Sequence, residues 1–334
     1  MSHLPPTCLR TITSVFTACT LLSCMSATPL LPTHGIHASD DPQLIERGRY
    51  LAYGPAHCAS CHGDPAYEND LLQGAEIPLS GGRRFDLGIL GTIVAPNITA
   101  DSVAGIGRMS DDAVVRSLRY GISHSGRPLL PLMPFAELAD RDLQAIVSFL
   151  RTVPSVPEIA PPSDLSWVGR FAVNVILKPQ GPQVSPPADM PPERSARYGR
   201  YLAYTVANCH GCHTQRSRMT GAFVGQPFAG GMKMVEPGGT FVTPNLTPVA
   251  DGILQYVNEP QFIERFRMRA RLPMQSPMPW VAFGRMTDDD LGAIYRYLKT
   301  LPPSPTPHSK DAPMMTDERT AEAGLQRPAR LRQR

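Results

Sequence analysis

The feature that most constrains this chain is Cys58-Ala59-Ser60-Cys61-His62, which returns as Cys209-His210-Gly211-Cys212-His213. In C-x-x-C-H the two thiols can add to the two vinyl groups of a haem, while the adjacent imidazole, held directly below the macrocycle, becomes the proximal iron ligand. Zinc also takes Cys and His, but a zinc pair does not oblige a His to follow the second Cys at once. The motifs therefore predict two covalently bound haem c groups, one on Cys58, Cys61 and His62 and one on Cys209, Cys212 and His213.

A chain of 334 residues with 42% hydrophobic content has apolar material for two cores, since single domains run to about 100–200 residues. The formal net charge is +3 and each haem adds two propionates, so nothing in the electrostatics points to nucleic acid. Of the seven cysteines, Cys8, Cys19 and Cys24 fall in the leader and the rest are the haem pairs, which leaves no thiol for a structural disulfide. Residues 1–27 carry Arg10, an apolar run from Ile12 to Leu22, and small residues at Ser26 and Ala27, the pattern of a secretory signal peptide. Export to the periplasm is the expectation, because haem c is attached there or in an equivalent compartment. Leu21-Leu22-Ser23-Cys24 is also similar to a lipobox, which would make Cys24 a lipid anchor, although Leu22 stands where a smaller residue is usual.

Along the chain, Leu44, Gly48, Leu51 and Ala52 mark one helical face, and Gly48 would let another helix cross closely. From Gly63 to Arg108 the composition reads as loops and turns wrapping a cofactor, with Ile93-Val94-Ala95-Pro96-Asn97-Ile98-Thr99 as its most distinctive phrase. A helix is expected over 111–120, then an extended loop from Arg127 to Phe135. A final helix opens near Asp140, with Leu143, Ile146, Val147 and Leu150 on one face. The proline-dense stretch 155–192 is expected to be a linker, with one short helix over 167–177 acting as filler between two haem domains or, less commonly, as a docking surface for a partner.

The programme then returns. Arg49-Tyr50-Leu51-Ala52-Tyr53 becomes Arg200-Tyr201-Leu202-Ala203-Tyr204, and Pro96-Asn97-Ile98-Thr99 becomes Pro244-Asn245-Leu246-Thr247. Leu291, Ile294, Tyr295 and Leu298 reproduce the last helix, with Thr287 and Asp290 as N-cap and near capping box. The expected architecture is mainly α, in two haem domains over 40–154 and 193–305, with a disordered polar tail over 306–334.

A haem carrier needs a second axial ligand, and a Met or His in the loop before the last helix would supply it. Met133 in Leu132-Met133-Pro134 and Met278 in Pro277-Met278-Pro279 occupy matching places, and the proline after each restricts the loop. Met274 competes in the second domain; Met109 and His124 compete in the first, His124 being the better candidate for an exposed residue.

These residues resemble the dihaem cytochromes c that accept electrons from periplasmic dehydrogenases, in particular the multihaem cytochrome subunit of membrane-associated alcohol, aldehyde and sugar-acid dehydrogenases. The resemblance spans roughly residues 44–303. It rests on Gly48-Arg49-Tyr50-Leu51-Ala52, both C-x-x-C-H motifs, Ala95-Pro96-Asn97-Ile98-Thr99, Gly126-Arg127-Pro128, Met133-Pro134 and Thr287-Asp288-Asp289-Asp290-Leu291. It implies two tandem class I cytochrome c-like domains, a dehydrogenase as electron donor and an oxidase or another cytochrome as acceptor. A third C-x-x-C-H, present in those subunits, is missing here. Closed His/Met ligation favours an electron-transfer protein over an enzyme; a dihaem peroxidase or thiosulfate dehydrogenase needs a labile sixth position with distal acid–base groups, and neither Met133 nor Met278 has an evident distal His or Glu beside it. A redox or gas sensor is the third reading, and no signalling domain is attached to support it.

Overall fold

The computed structural model describes residues 33, 35–217, 221–236, 239–269 and 277–306; the leader with Cys24, the competing Met274 and the tail beyond residue 306 lie outside the described residues. In chain order the first half contains α1 (Pro42–Tyr53), the motif helix α2 (Cys58–His62), α3 (Glu68–Leu72), strands β1 (Arg84–Asp86) and β2 (Gly91–Val94), α4 (Asp111–Tyr120) and α5 (Asp140–Thr152). Between the halves lie β3 (Asp164–Leu165) and α6 (Trp167–Phe171), the latter extended by a π-type turn over Ala172–Ile176. The second half contains α7 (Ala196–Tyr201) with a π-type turn over Leu202–Val206, α8 (Cys209–Cys212), β4 (Lys233–Glu236), β5 (Gly239–Val242), α9 (Glu259–Arg269), α10 (Trp280–Phe283) and α11 (Asp288–Leu298).

Helix boundaries follow local chemistry. Asp41 accepts from the N–H of Gln43 and Pro42 fills the first turn of α1. Ser110 caps α4, and Gly121 closes it in the left-handed region at φ 60°. Thr287 caps α11 by accepting from Asp290 N–H, the cap expected from the sequence. The remaining framework is light: β1, β2 and β3 form one antiparallel sheet, and β4 pairs with β5 in register Lys233 to Val242.

In each half the first and last helices cross at a glycine. A Cβ on Gly48 would overlap the carbonyl oxygen of Ala145 in α5, and a Cβ on Gly199 would overlap that of Ala293 in α11. Leu51, Leu143, Ala145 and Ile146 are sealed at the first crossing, and Leu202, Leu291, Ala293 and Ile294 at the second. These side chains belong to one continuous core, to which both halves contribute.

The halves meet through a reciprocal polar seam. Tyr50 Oη donates to Asp290 at 2.6 Å and accepts from the N–H of Thr287 at 3.1 Å. In matching fashion Tyr201 Oη donates to Asp142 at 2.7 Å and accepts from the N–H of Ala139 at 3.1 Å. Each first helix thus satisfies the start of the other half's last helix, where unpaired N–H groups need partners. Arg47 lies at the centre, bidentate on Asp142 at 2.9 and 3.1 Å and donating to Tyr198 at 3.1 Å. Burial pushes the phenols of Tyr50, Tyr198 and Tyr201 up, so they remain neutral donors.

The proline-dense segment is docked on the first half. Pro187 and Ala188 offer carbonyls to the N–H groups of Asp140 and Arg141, which completes the start of α5 that no side chain caps. Ser166 and Gly169 lie against the Leu90 carbonyl, and β3 extends the sheet. Contrary to the filler expectation, Trp167, Phe171, Val175 and Ile176 are exposed.

Asp142→Ala leaves the Arg47 guanidinium mostly buried without its carboxylate and should cost about 3–5 kcal/mol in urea unfolding of the haem-loaded protein. The apolar pair Arg47→Met with Asp142→Leu should recover most of that loss. A single-variant cost below about 1 kcal/mol would show that the seam does not hold the halves together.

Candidate haem sites

Both motif helices start from a strained residue. His57 precedes α2 at φ 40° and Asn208 precedes α8 at φ 50°, two of the three non-glycine residues with positive φ among the described residues. His and Asn tolerate that region better than most side chains, and this was the available signal for two positions that motif reading passed over. The turn so begun carries the cysteines three apart, hence on one face. All four thiols are free and half-buried. Burial pushes the thiols of Cys58 and Cys209 up to about 12. Among the described residues, no three or more His, Cys, Asp and Glu side chains converge into a zinc cage.

The imidazoles are oriented the same way in both halves. Nδ1 of His62 lies 2.8 Å from the Pro96 carbonyl, and Nδ1 of His213 lies 2.8 Å from the Pro244 carbonyl. A carbonyl only accepts, so the proton is on Nδ1 and the Nε2 lone pair is left for a metal. Desolvation holds both rings below the ordinary histidine value, hence neutral and able to ligate.

Each proline carbonyl is fixed by the phrase that follows it. Asn97 accepts from the N–H and hydroxyl of Thr99 at 2.8 and 2.7 Å, while its amide donates to the carbonyls of Val156 and Glu158 beyond α5. Asn245 makes the same pair of bonds to Thr247, and its amide donates to Ser304 O and Thr306. From behind, Gly81 and Gly230 donate their N–H groups to the backbone oxygens of His62 and His213, both at 2.9 Å. At φ 75° and 72° a Cβ on either would overlap the backbone of Pro96 or Pro244. The Pro-Asn-Ile-Thr phrase and its Pro-Asn-Leu-Thr copy, recognised in the sequence as a repeat and as part of the family resemblance but given no role there, support the motif histidines.

The methionine loops have their own clamp. Buried Arg119 in α4 donates to Ala136 O at 2.9 Å and to Asp140 at 2.6 Å. Arg267 in α9 donates to Met286 O at 2.6 Å and to Asp288. These arginines pin the loops from Met133 to α5 and from Met278 to α11, and nothing in the sequence singled them out beyond their place near the ends of helices. Met133 and Met278 are half-buried and pack against the core, as do Cys58 and Cys209; the competitor Met109 does the same, and His124 is exposed as expected.

Two buried donors test whether a haem suits these residues. Arg83 Nε and Trp280 Nε1 have no hydrogen-bond partner, although buried polar atoms are nearly always paired. Trp280 stands two residues after Met278, and Arg83 is close enough to Cys61 to oppose the rise of its pKa. Haem brings two carboxylates, the acceptors that such donors lack, so the donor set fits the group.

A half-buried thiol pair, a neutral imidazole with Nε2 free and orphaned donors beside them define a covalent haem-binding protein. Residues 198–302 match the family described as cytochrome c. The chain is 30% identical over 285 residues to the diheme cytochrome c-type protein of Cereibacter sphaeroides, covering 78% of this chain and 90% of that protein. It is 32% identical over 183 residues to the gluconate 2-dehydrogenase cytochrome c subunit of Pantoea cypripedii, covering 52% and 38%. It is 29% identical over 292 residues to the cytochrome c subunit of alcohol dehydrogenase (quinone) from Gluconobacter oxydans, covering 80% and 57%. The chain therefore spans 38% and 57% of the lengths of these two dehydrogenase subunits. The chain belongs to the cytochrome c family, whose haem c is bound covalently.

Asn97→Ala strips the Pro96 segment of its anchor and leaves the buried N–H and hydroxyl of Thr99 without their acceptor, which should cost about 1–3 kcal/mol in thermal unfolding. Because His62 leans on that segment, the potential of the first haem should move while the second stays; Asn245→Ala should do the reverse. Equal movement of both potentials in either variant would contradict the assignment.

Proposed function

We propose that the protein is a periplasmic dihaem electron carrier built as two tandem class I cytochrome c-like domains, over 40–154 and 193–305, joined by the segment 155–192. It takes electrons from a dehydrogenase and delivers them to a respiratory-chain acceptor, an oxidase or another cytochrome. One observation carries this reading: both halves present the same support, with a histidine locked by Nδ1 to a proline carbonyl and a Met-Pro loop pinned by a helix arginine. Relatives named as cytochrome c subunits of dehydrogenases support a dehydrogenase partner. The alcohol, gluconate and fructose in those names remain properties of those proteins.

Bound haem c supplies a one-electron Fe(III)/Fe(II) couple. Cys58, Cys61, Cys209 and Cys212 hold the two groups in place by thioether bonds, and His62 and His213 donate Nε2 from a fixed orientation. Met133 and Met278 would supply the second protein ligand to each iron, which would raise the potential and deny the iron to small ligands. Pinning by Arg119 and Arg267 keeps each Met loop in one conformation. The residues thus bind, orient and exclude water, and leave no position for a substrate.

Both ferric haems should be low-spin, with the weak red-edge charge-transfer band of an iron–thioether bond, and should not bind CO when reduced. Met133→Ala should open the first haem alone to CO, and Met278→Ala the second alone. Replacement of either Met by His should restore a closed site and lower that haem's potential. Rapid CO binding by the unaltered protein, together with turnover of peroxide or thiosulfate, would replace the carrier by a dihaem enzyme.

A further inference from the structure

The halves differ at one edge. Beside the second motif, a ladder of flat groups runs from one guanidinium to another. The guanidinium of Arg200 lies 4.9 Å over the Tyr204 ring, Tyr204 stacks on His210 at 4.6 Å and 25°, His210 meets Phe223 at 4.3 Å, and the Arg216 guanidinium lies 3.9 Å over Phe223. The ladder is seated on buried Phe228, which touches Tyr204 at 5.0 Å and His210 at 5.5 Å. Both arginines are exposed, Phe223 and Val224 are 44% and 42% exposed, and His210 stands inside the motif between Cys209 and Cys212.

The first half is not equipped this way. His210 is replaced there by Ala59, and Tyr53 is buried against Phe149 with its hydroxyl bonded to Ile77 O. Arg49, the counterpart of Arg200, is paired with Glu76 at 2.8 Å and Glu46 at 3.5 Å. By contrast, Arg200 and Arg216 make no ion pair with a carboxylate among the described residues; Arg216 is instead held by the carbonyls of Gly211 and Gly221. Each of the two cations has one face already covered by a ring, so an incoming carboxylate need displace little water and finds a planar, bidentate donor.

We propose that Arg200, Tyr204, His210, Phe223 and Arg216 form the docking face for a carboxylate-rich surface on the redox partner that exchanges electrons at the second haem. The inference rests on the electron-carrier reading and adds the chemistry of the partner and the haem it meets. Exposed Phe223 and Val224 supply the apolar centre, and the two arginines supply a charged rim that steers encounter. A partner seated there touches the loop between the second pair of cysteines directly.

The test uses the full chain with both haems loaded and reduced, oxidised by hexacyanoferrate(III) in stopped flow, with and without poly-L-glutamate. The two haem phases are distinguished with Met278→His, which moves the second haem's potential. The phase of the second haem should slow as ionic strength rises and should be inhibited by poly-L-glutamate but not by poly-L-lysine. Arg200→Glu with Arg216→Glu should slow that phase about tenfold or more at low salt and abolish the inhibition, with the other phase unchanged. The neutral pair Arg200→Gln with Arg216→Gln, which disturbs packing less, should show a smaller loss in the same phase only. Unchanged rates in both double variants, equal slowing of both phases, or inhibition that survives charge reversal would overturn the docking face while leaving the carrier reading standing. Failure of the carrier reading has its own mark, CO binding by the unaltered protein, whatever the salt dependence.

Discussion

Everything in each half is arranged around one hydrogen bond, from Nδ1 of the motif histidine to a proline carbonyl. A histidine that is to hold iron must keep Nε2 unprotonated and aimed, and the cheapest way to fix both is to commit the other nitrogen to an acceptor that cannot give a proton back. That carbonyl must itself be immobile. Hence the asparagine that ties Pro96 to the chain beyond α5, and Pro244 to the chain beyond α11; hence also the glycine that passes too close for any side chain and bonds the histidine's own backbone. The long helices then close the half around this assembly, crossing at Gly48 and Gly199.

Between the halves the dominant interaction is of a different kind. Hydroxyls of Tyr50 and Tyr201 enter the first turns of the opposite last helices, so each half completes the hydrogen bonding of the other. Arg47 breaks the symmetry, since Tyr198 is its counterpart and the two meet across the seam. Buried and charged, this contact is sensitive to orientation, and it fixes how the two halves face one another more firmly than apolar packing alone would. The asymmetry at the outer edge, where Arg200 and Arg216 frame a ring ladder, gives the second site a surface that the first does not have.

Much of this was legible in the sequence because the chemistry is local. The C-x-x-C-H motifs, α4 over 111–120, the Thr287 cap and the glycine crossing of α1 all depend on residues close in the chain or on a strict spacing. What was not legible depends on distant partners. The asparagines are ordinary polar residues until their acceptors some sixty positions away are in place. Arg119 and Arg267 look like surface charges at helix ends, yet they are turned inward to hold a loop. The proline-dense segment read as a spacer because prolines exclude ladder bonds; its carbonyls nevertheless supply the acceptors missing at the start of α5, and its Trp167 faces outward. The seam was invisible for the same reason: Tyr50 and Tyr201 appear in the sequence as parts of a repeat, and only folding shows that each bonds to a carboxylate, Asp290 or Asp142, in the other half's last helix.

The most direct test of the central claim is the intact mass of the exported, matured protein in denaturing acid and organic solvent. Two haems should remain on the polypeptide, because thioether bonds survive unfolding, and Cys58→Ser with Cys61→Ser should leave one. A polypeptide that loses both haems under those conditions, or that carries zinc in place of haem, would contradict the account.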